Sequence, residues 1–159
     1  MATRAIFTPY SAEFPATNFP QLLLVNRRPV LGYDATTNET AQWTSVAAVG
    51  WTGAVTALLQ IMMASATTGD TDWDVSIEAV TPADATDLDA GDSFDTINST
   101  DNTVVPGTVG YMQEISVTCT NKDNIAAGDY YRCRVTRDAA SDTAAGDAYL
   151  LTVRLNDGA

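Results

Sequence analysis

Apolar and polar residues alternate with a period of two along much of this chain. In residues 73–80, apolar side chains at odd positions alternate with Asp, Ser and Glu. Three further segments repeat this pattern: 111–120, 131–136 and 149–155. Successive side chains of a strand point to opposite faces of the sheet, so the alternation predicts antiparallel strands with one buried face and one face in water.

Shorter apolar segments add more strands at 21–26, 29–33 and 41–49, and residues 55–64 are apolar on both faces. Gly-Asp pairs and other turn-forming residues separate these segments. Residues 82–103 form a long acidic loop with room for a short strand. About eight short strands spaced by turns predict an all-β, antiparallel β-sandwich of jelly-roll type.

Residues 1–20 have a different character, because prolines at this density forbid a helix and favour extended chain. This segment contains Pro9, Pro15 and Pro20, with the aromatic residues Phe7, Tyr10, Phe14 and Phe19 between them. An extended arm of this kind packs either along its own domain or onto a neighbouring molecule, and the second interpretation is slightly favoured. Residues 21–159 are predicted to form a single sandwich domain.

Charge and composition limit the classes of function that the chain can have. The net charge is −12, from 8 basic and 20 acidic residues, which disfavours binding to nucleic acid and to anionic membranes. Histidine is absent, so catalytic arrangements that need it are excluded within this chain. We therefore expect no enzyme activity and no cofactor. The uncharged stretch 46–66 is too diluted by polar residues and glycine for a membrane helix, and no secretory signal is visible at the N-terminus.

The acidic residues provide only weak candidates for a calcium site or a catalytic carboxylate pair. Residues 70–74 begin like an EF-hand loop, but the required glycine and glutamate are replaced by Val75 and Thr81. No metal site is predicted, and the weak calcium candidates are Asp138, Asp142 and Asp147. Glu78 and Glu114 would serve as a glycosidase pair only if the fold brought them close together, and both are predicted on outward faces.

The two cysteines, Cys119 and Cys133, lie on predicted inward faces of their strands. In a protein made in a cytoplasm, buried free thiols are the favoured interpretation. A disulfide between Cys119 and Cys133 is the alternative, if the fold brings their Cα atoms within about 7 Å.

Several motifs resemble a domain common in predicted phage and prophage virion proteins. They are Arg28-Pro29-Val30-Leu31, the turn from Asp34 to Glu39, the segment from Ala64 to Val75, Pro106 to Tyr111, and the run from Ala126 to Asp138 continued through Asp142 to Ala148. The likeness covers roughly residues 27–156. It implies a β-sandwich that decorates capsids or builds tails and fibres, often as a trimer. That family usually has aliphatic residues at the positions of Cys119 and Cys133, which agrees with core positions.

We therefore expect a virion structural protein, made in the host cytoplasm, that assembles with itself and with other virion proteins such as the major capsid protein. The interface candidates are Phe7, Tyr10, Phe14, Phe19, Val55, Leu59, Ile61 and Met63. The alternative is a carbohydrate- or receptor-binding fibre-tip module, for which exposed aromatic residues are required. Trp51 and Tyr130 are the only candidates for that role.

Overall fold

The computed structural model of the chain describes residues 2–51 and 54–157. Within those residues it has ten β-strands and one short 3-10 helix, Pro9–Ser11. The strands are β1 (Ala2–Phe7), β2 (Gln21–Val25), β3 (Arg28–Tyr33), β4 (Glu39–Val46), β5 (Val55–Met63), β6 (Asp70–Val80), β7 (Asn98–Val104), β8 (Gln113–Cys119), β9 (Tyr130–Arg137) and β10 (Ala148–Asp157). None of the described helices is long and apolar enough to cross a membrane.

The strands form two antiparallel sheets. The first sheet has the order β2-β3-β10-β5-β8, with β1 also paired to β10, and the second has the order β4-β9-β6-β7. From β3 to β10 each strand crosses to the other sheet, except that β6 and β7 are neighbours in the second sheet. This is the connectivity of a jelly roll. The predicted all-β jelly-roll sandwich is confirmed, and its roughly eight strands correspond to β3–β10, with β1 and β2 added.

The core lies between the two sheets, where alternate side chains of both sheets meet. Tyr33 and Trp73 form an edge-to-face ring pair at 5.1 Å between ring centroids, and both are fully buried. β5 is flanked by β10 and β8, so it is a central strand of the first sheet. Four of the predicted interface residues belong to the inner face of β5 and are buried in the core: Val55, Leu59, Ile61 and Met63. Their assignment to a subunit interface is wrong, because the second sheet of the same chain covers them.

The N-terminal arm also packs on its own domain. β1 pairs with β10 from Ala2 opposite Asp157 to Phe7 opposite Val153. Phe7 is buried and its ring stacks on Trp43 at 5.8 Å between centroids. The slight preference for an arm that reaches a neighbour is therefore corrected for residues 2–7, because strand pairing with β10 satisfies their backbone and the core buries the Phe7 ring.

One end of the sandwich is held by a buried arginine. Arg137, at the end of β9, is fully buried, and its Nε donates to Asp142 Oδ2 at 2.6 Å. Its two terminal nitrogens donate to the carbonyl oxygens of Tyr33, Ala144 and Gly146. The guanidinium thereby fastens the connection between β9 and β10 to the end of β3.

Candidate functional site

The candidate functional site is the free edge of β2, which pairs with β3 on one side and has no neighbouring strand on the other among the described residues. Its sequence, Gln-Leu-Leu-Leu-Val, contains no charge. Leu22 is 46% exposed and Leu24 is 66% exposed. Natural sheets usually protect an edge strand with charges, proline or a bulge, because unpaired backbone groups attract other strands. β2 has none of these protections, so it is suited to pair with another strand.

The hairpin between β2 and β3 fixes which backbone groups face this edge. The turn residues Asn26 and Arg27 both have positive φ, 46° and 66°, as in the type I′ turn that favours hairpins. A two-residue turn closes on a hydrogen-bonded pair, here Val25 with Arg28. Hydrogen bonding then alternates along the hairpin, so the backbone N–H and C=O groups of Leu22 and Leu24 point away from β3.

Leu23 holds the strand against its sheet. It lies opposite Val30 in the register, and Val30 is fully buried. Gly32 leaves room for it, since a Cβ there would lie 2.8 Å from Leu23 Cδ1. β2 therefore has one leucine packed against the domain, flanked by two leucines that remain available for contact.

The two ends of β2 carry opposite charge. Arg27 and Arg28 stand at the hairpin turn, and neither forms an ion pair within residues 2–51 and 54–157. At the other end, Asp34, Glu39 and Asp147 line a small polar cavity of about 100 Å³. Burial raises the pKa of Glu39, and the charges of Asp34 and Asp147 raise it further. This end of the strand is therefore an acidic patch.

The neighbouring edge of the second sheet is covered by the chain itself. The segment that follows the 3-10 helix runs along β4, where Glu13 and Gln42 exchange backbone hydrogen bonds of 2.8 and 3.0 Å. The Thr40 N–H donates to the Asn18 carbonyl oxygen at 2.9 Å. On this side of the sandwich, the edge of the second sheet is thus closed and that of the first sheet is open.

Three of the predicted interface residues lie in or beside this covering segment. Tyr10, Phe14 and Phe19 are all exposed, and the rings of Phe14 and Phe19 contact each other at 5.5 Å between centroids. Phe19 precedes β2 by two residues. Sequence analysis missed Leu22 and Leu24, although an uncharged leucine run in a short strand next to a turn was a visible sign of an unprotected edge.

The calcium candidates are not gathered into one site. Asp142 accepts from buried Arg137, Asp138 Oδ1 accepts from Asn38 Nδ2 at 2.7 Å, and Asp147 Oδ1 accepts from the Ala35 N–H at 3.2 Å. No group of three or more potential metal ligands occurs in the described part of the chain. Each of these carboxylates instead fixes a loop by a separate contact.

Glu78 and Glu114 lie in different sheets and are not brought together. Glu78, in β6, accepts hydrogen bonds from Arg132 and from the backbone N–H and side chain of Ser93. Phe94 lies over the guanidinium of Arg134, whose Cζ is 4.1 Å from the ring centroid. Glu114, in β8, accepts from Gln60 and Arg154 at the surface. Each glutamate supports its own sheet, so they do not form a carboxylate pair.

We expect Glu78→Gln to lower the free energy of unfolding by about 1.5–3 kcal/mol at pH 7, because it removes charge-assisted hydrogen bonds. Burial raises the pKa of Glu78, but the contacts with Arg132 and Ser93 outweigh it and hold the pKa below its ordinary value of 4.5. A lowered carboxyl pKa stabilises the fold above pH 4.5 and this contribution is lost as the pH falls through the folded pKa. In urea titrations the difference between Glu78→Gln and wild type should therefore shrink as the pH falls below 4.5. Glu114→Gln, at an exposed pair, is the matched control and should cost at most about 1 kcal/mol.

Both cysteines are free and buried, Cys119 in the first sheet and Cys133 in the second. Burial raises the pKa of Cys119 to about 12 and raises that of Cys133 as well. Since the thiolate is the reactive form, we expect both side chains to react slowly in the folded protein.

A thiol-reactive dye should therefore label the native protein very slowly at pH 8, and should label both cysteines rapidly in concentrated urea without reductant. Counting the modified thiols by mass spectrometry checks this. Rapid labelling of the native chain, or fewer than two reactive thiols in urea, would contradict the buried, unpaired state.

The two aromatic residues proposed for a carbohydrate platform are not fully exposed. Trp51 is buried and packs on Tyr131 at 5.6 Å between centroids. Tyr130 is half-buried at the start of β9. Of the two candidate side chains of the fibre-tip alternative, Trp51 is therefore buried and Tyr130 is partly exposed, and that alternative stays a prediction.

Comparison with known proteins adds little to this picture. No family model matches the sequence, and no curated protein matches it. Among solved structures, the chain is similar to the arabinose-bound α-L-arabinofuranosidase MgGH51, with a TM-score of 0.40 and 14% identity. The match covers 98% of this chain but only 24% of that enzyme. A likeness at this TM-score carries no argument about the activity of the chain.

Proposed function

We propose that this chain is a structural protein that assembles with copies of itself and decorates or builds a phage-like particle, as a capsid decoration protein or as a tail or tube subunit. The observation that carries the proposal is the unprotected edge of β2, with Leu22 and Leu24 exposed on a chain whose net charge is −12. Such charge keeps copies apart except where an uncharged surface favours contact. The edge of β2 is such a surface.

The sequence resemblance to phage virion proteins is the reason for proposing a phage-like particle. It implies a trimer and contact with other virion proteins such as the major capsid protein; both stay predictions, and a trimer would need a surface other than a two-fold contact. A jelly roll suits a building block of this kind, because its two layers form a compact unit and its loops and edges remain available for contacts.

Immunogold electron microscopy tests the location. Particles are purified on a density gradient from the cells that carry the gene and are labelled with an antibody raised against this chain. Label at regular positions on capsids or tails is the expected result. Particles that never carry the label, with the chain found only in the soluble fraction, would overturn the virion assignment.

A further inference from the structure

We infer that two copies of this chain associate about a two-fold axis by antiparallel pairing of β2 with β2 of the second copy, which joins their first sheets into one continuous sheet. The inference rests on the proposed self-assembly and names the contact through which it occurs. The occupant of the open edge is thus a second copy of this chain.

The strand is nearly symmetric in its own sequence, which favours a second copy as its partner. Gln-Leu-Leu-Leu-Val read backwards again has three central leucines. Antiparallel pairing centred on Leu23 therefore places Leu22 opposite Leu24 of the second copy, and Leu24 opposite Leu22. A two-fold interface needs this self-complementarity, because the same surface serves both partners.

The backbone hydrogen-bonding groups of β2 fit the same register. Leu22 and Leu24 are the residues whose N–H and C=O groups point to the open edge in the type I′ hairpin. When these two residues lie opposite each other across the axis, each pair exchanges two hydrogen bonds, so the contact has four. The leucine side chains of each pair lie on the same face and pack as cross-strand neighbours.

Charge favours the same orientation. Antiparallel pairing brings the turn of each copy, with Arg27 and Arg28, to the level of the acidic patch of the other, formed by Asp34, Glu39 and Asp147. The two arginines have no acidic partner among residues 2–51 and 54–157 of their own chain. Parallel pairing would instead place arginines beside arginines and carboxylates beside carboxylates. Complementary ends therefore fix the direction of the pairing.

Amide hydrogen exchange measured by NMR on the full chain reads out the register directly. At high concentration the amide protons of Leu22 and Leu24 should become protected, and dilution should remove this protection. The amide proton of Leu23, bonded within the hairpin, should stay protected at both concentrations. Unchanged exchange at Leu22 and Leu24 in a sample that is demonstrably associated would overturn the inference.

A charged substitution at the edge provides a second test. Leu24→Lys should weaken association at least about tenfold, because it places a charge opposite an apolar residue at two symmetric positions. Ile6→Lys is the matched control, since Ile6 is 64% exposed and lies in a strand of the same sheet. It should leave association unchanged.

The outcomes separate the two proposals. If wild type associates and Leu24→Lys associates equally well, the β2 pairing is wrong and self-assembly stands through another surface. If wild type stays monomeric at every concentration, both fail. Association that weakens with added salt in wild type and less so in Arg27→Gln would support the charge contribution, and no salt dependence would contradict it.

Discussion

Arg137→Met should lower the free energy of unfolding by about 3–5 kcal/mol, because it leaves a buried carboxylate without its cation. The Asp142 side chain is almost completely buried beside Arg137. The carbonyl oxygens of Tyr33, Ala144 and Gly146 each lose a hydrogen bond at the same time. Urea unfolding followed by tryptophan fluorescence measures this loss, which is a large part of the stability of a domain of this size.

Arg154→Met is the matched control, since the same substitution there breaks an ion pair with Glu114 that is exposed on both sides. It should cost at most about 1 kcal/mol. The double variant Arg137→Met with Asp142→Leu should recover part of the loss, because no charged group is then left buried. Equal small effects of Arg137→Met and Arg154→Met would show that the buried arginine does not hold this end of the sandwich.

Leu59→Ala should destabilise the domain by about 2–5 kcal/mol, the usual cost of a cavity at a buried leucine. Leu59 is fully buried in the central strand of the first sheet. The loss should appear in the unfolding of dilute, monomeric protein, because the contacts of this side chain lie within one chain. Urea titration at low concentration measures it.

Leu24→Ala is the counterpart on the surface. It should change the stability of the dilute monomer by at most about 0.5 kcal/mol, because Leu24 is mostly exposed, and should weaken association instead. If Leu59→Ala instead caused little loss of monomer stability and a selective loss of assembly, the result would support β5 as part of the subunit interface.

The alternation of apolar and polar residues was sufficient to predict the jelly-roll sandwich. β8 and β9 alternate in burial with a period of two. β6 instead buries side chains on both faces, and the alternation of β10 shifts at a bulge between Leu150 and Thr152. Periodicity reports how a strand is buried, but it does not report its neighbours. The apolar run in β5 was therefore assigned to an interface, whereas it fills a central strand between β10 and β8.

Pairings between distant parts of the chain could not be predicted from local sequence patterns. β1 pairs with β10 across nearly the whole length of the chain, and no local pattern around Phe7 indicates this. Arg137 continues the inward-facing series of Tyr131, Cys133 and Val135 in β9, but the groups that pair with its charge come from the connection that folds back over it, and no local pattern indicates them. The uncharged leucine run of β2 indicates a strand without edge protection, but whether that strand lies at an edge depends on which strands fail to pair with it, and the topology shows this.

Sedimentation equilibrium of the full-length chain, from low micromolar to near-millimolar concentration, tests self-assembly through β2 most directly. The β2 pairing predicts reversible association in which the two-fold dimer is the first species above the monomer, and Leu24→Lys removes that species. A single monomeric species across the whole range, or a trimer formed without a dimer and untouched by Leu24→Lys, would contradict it.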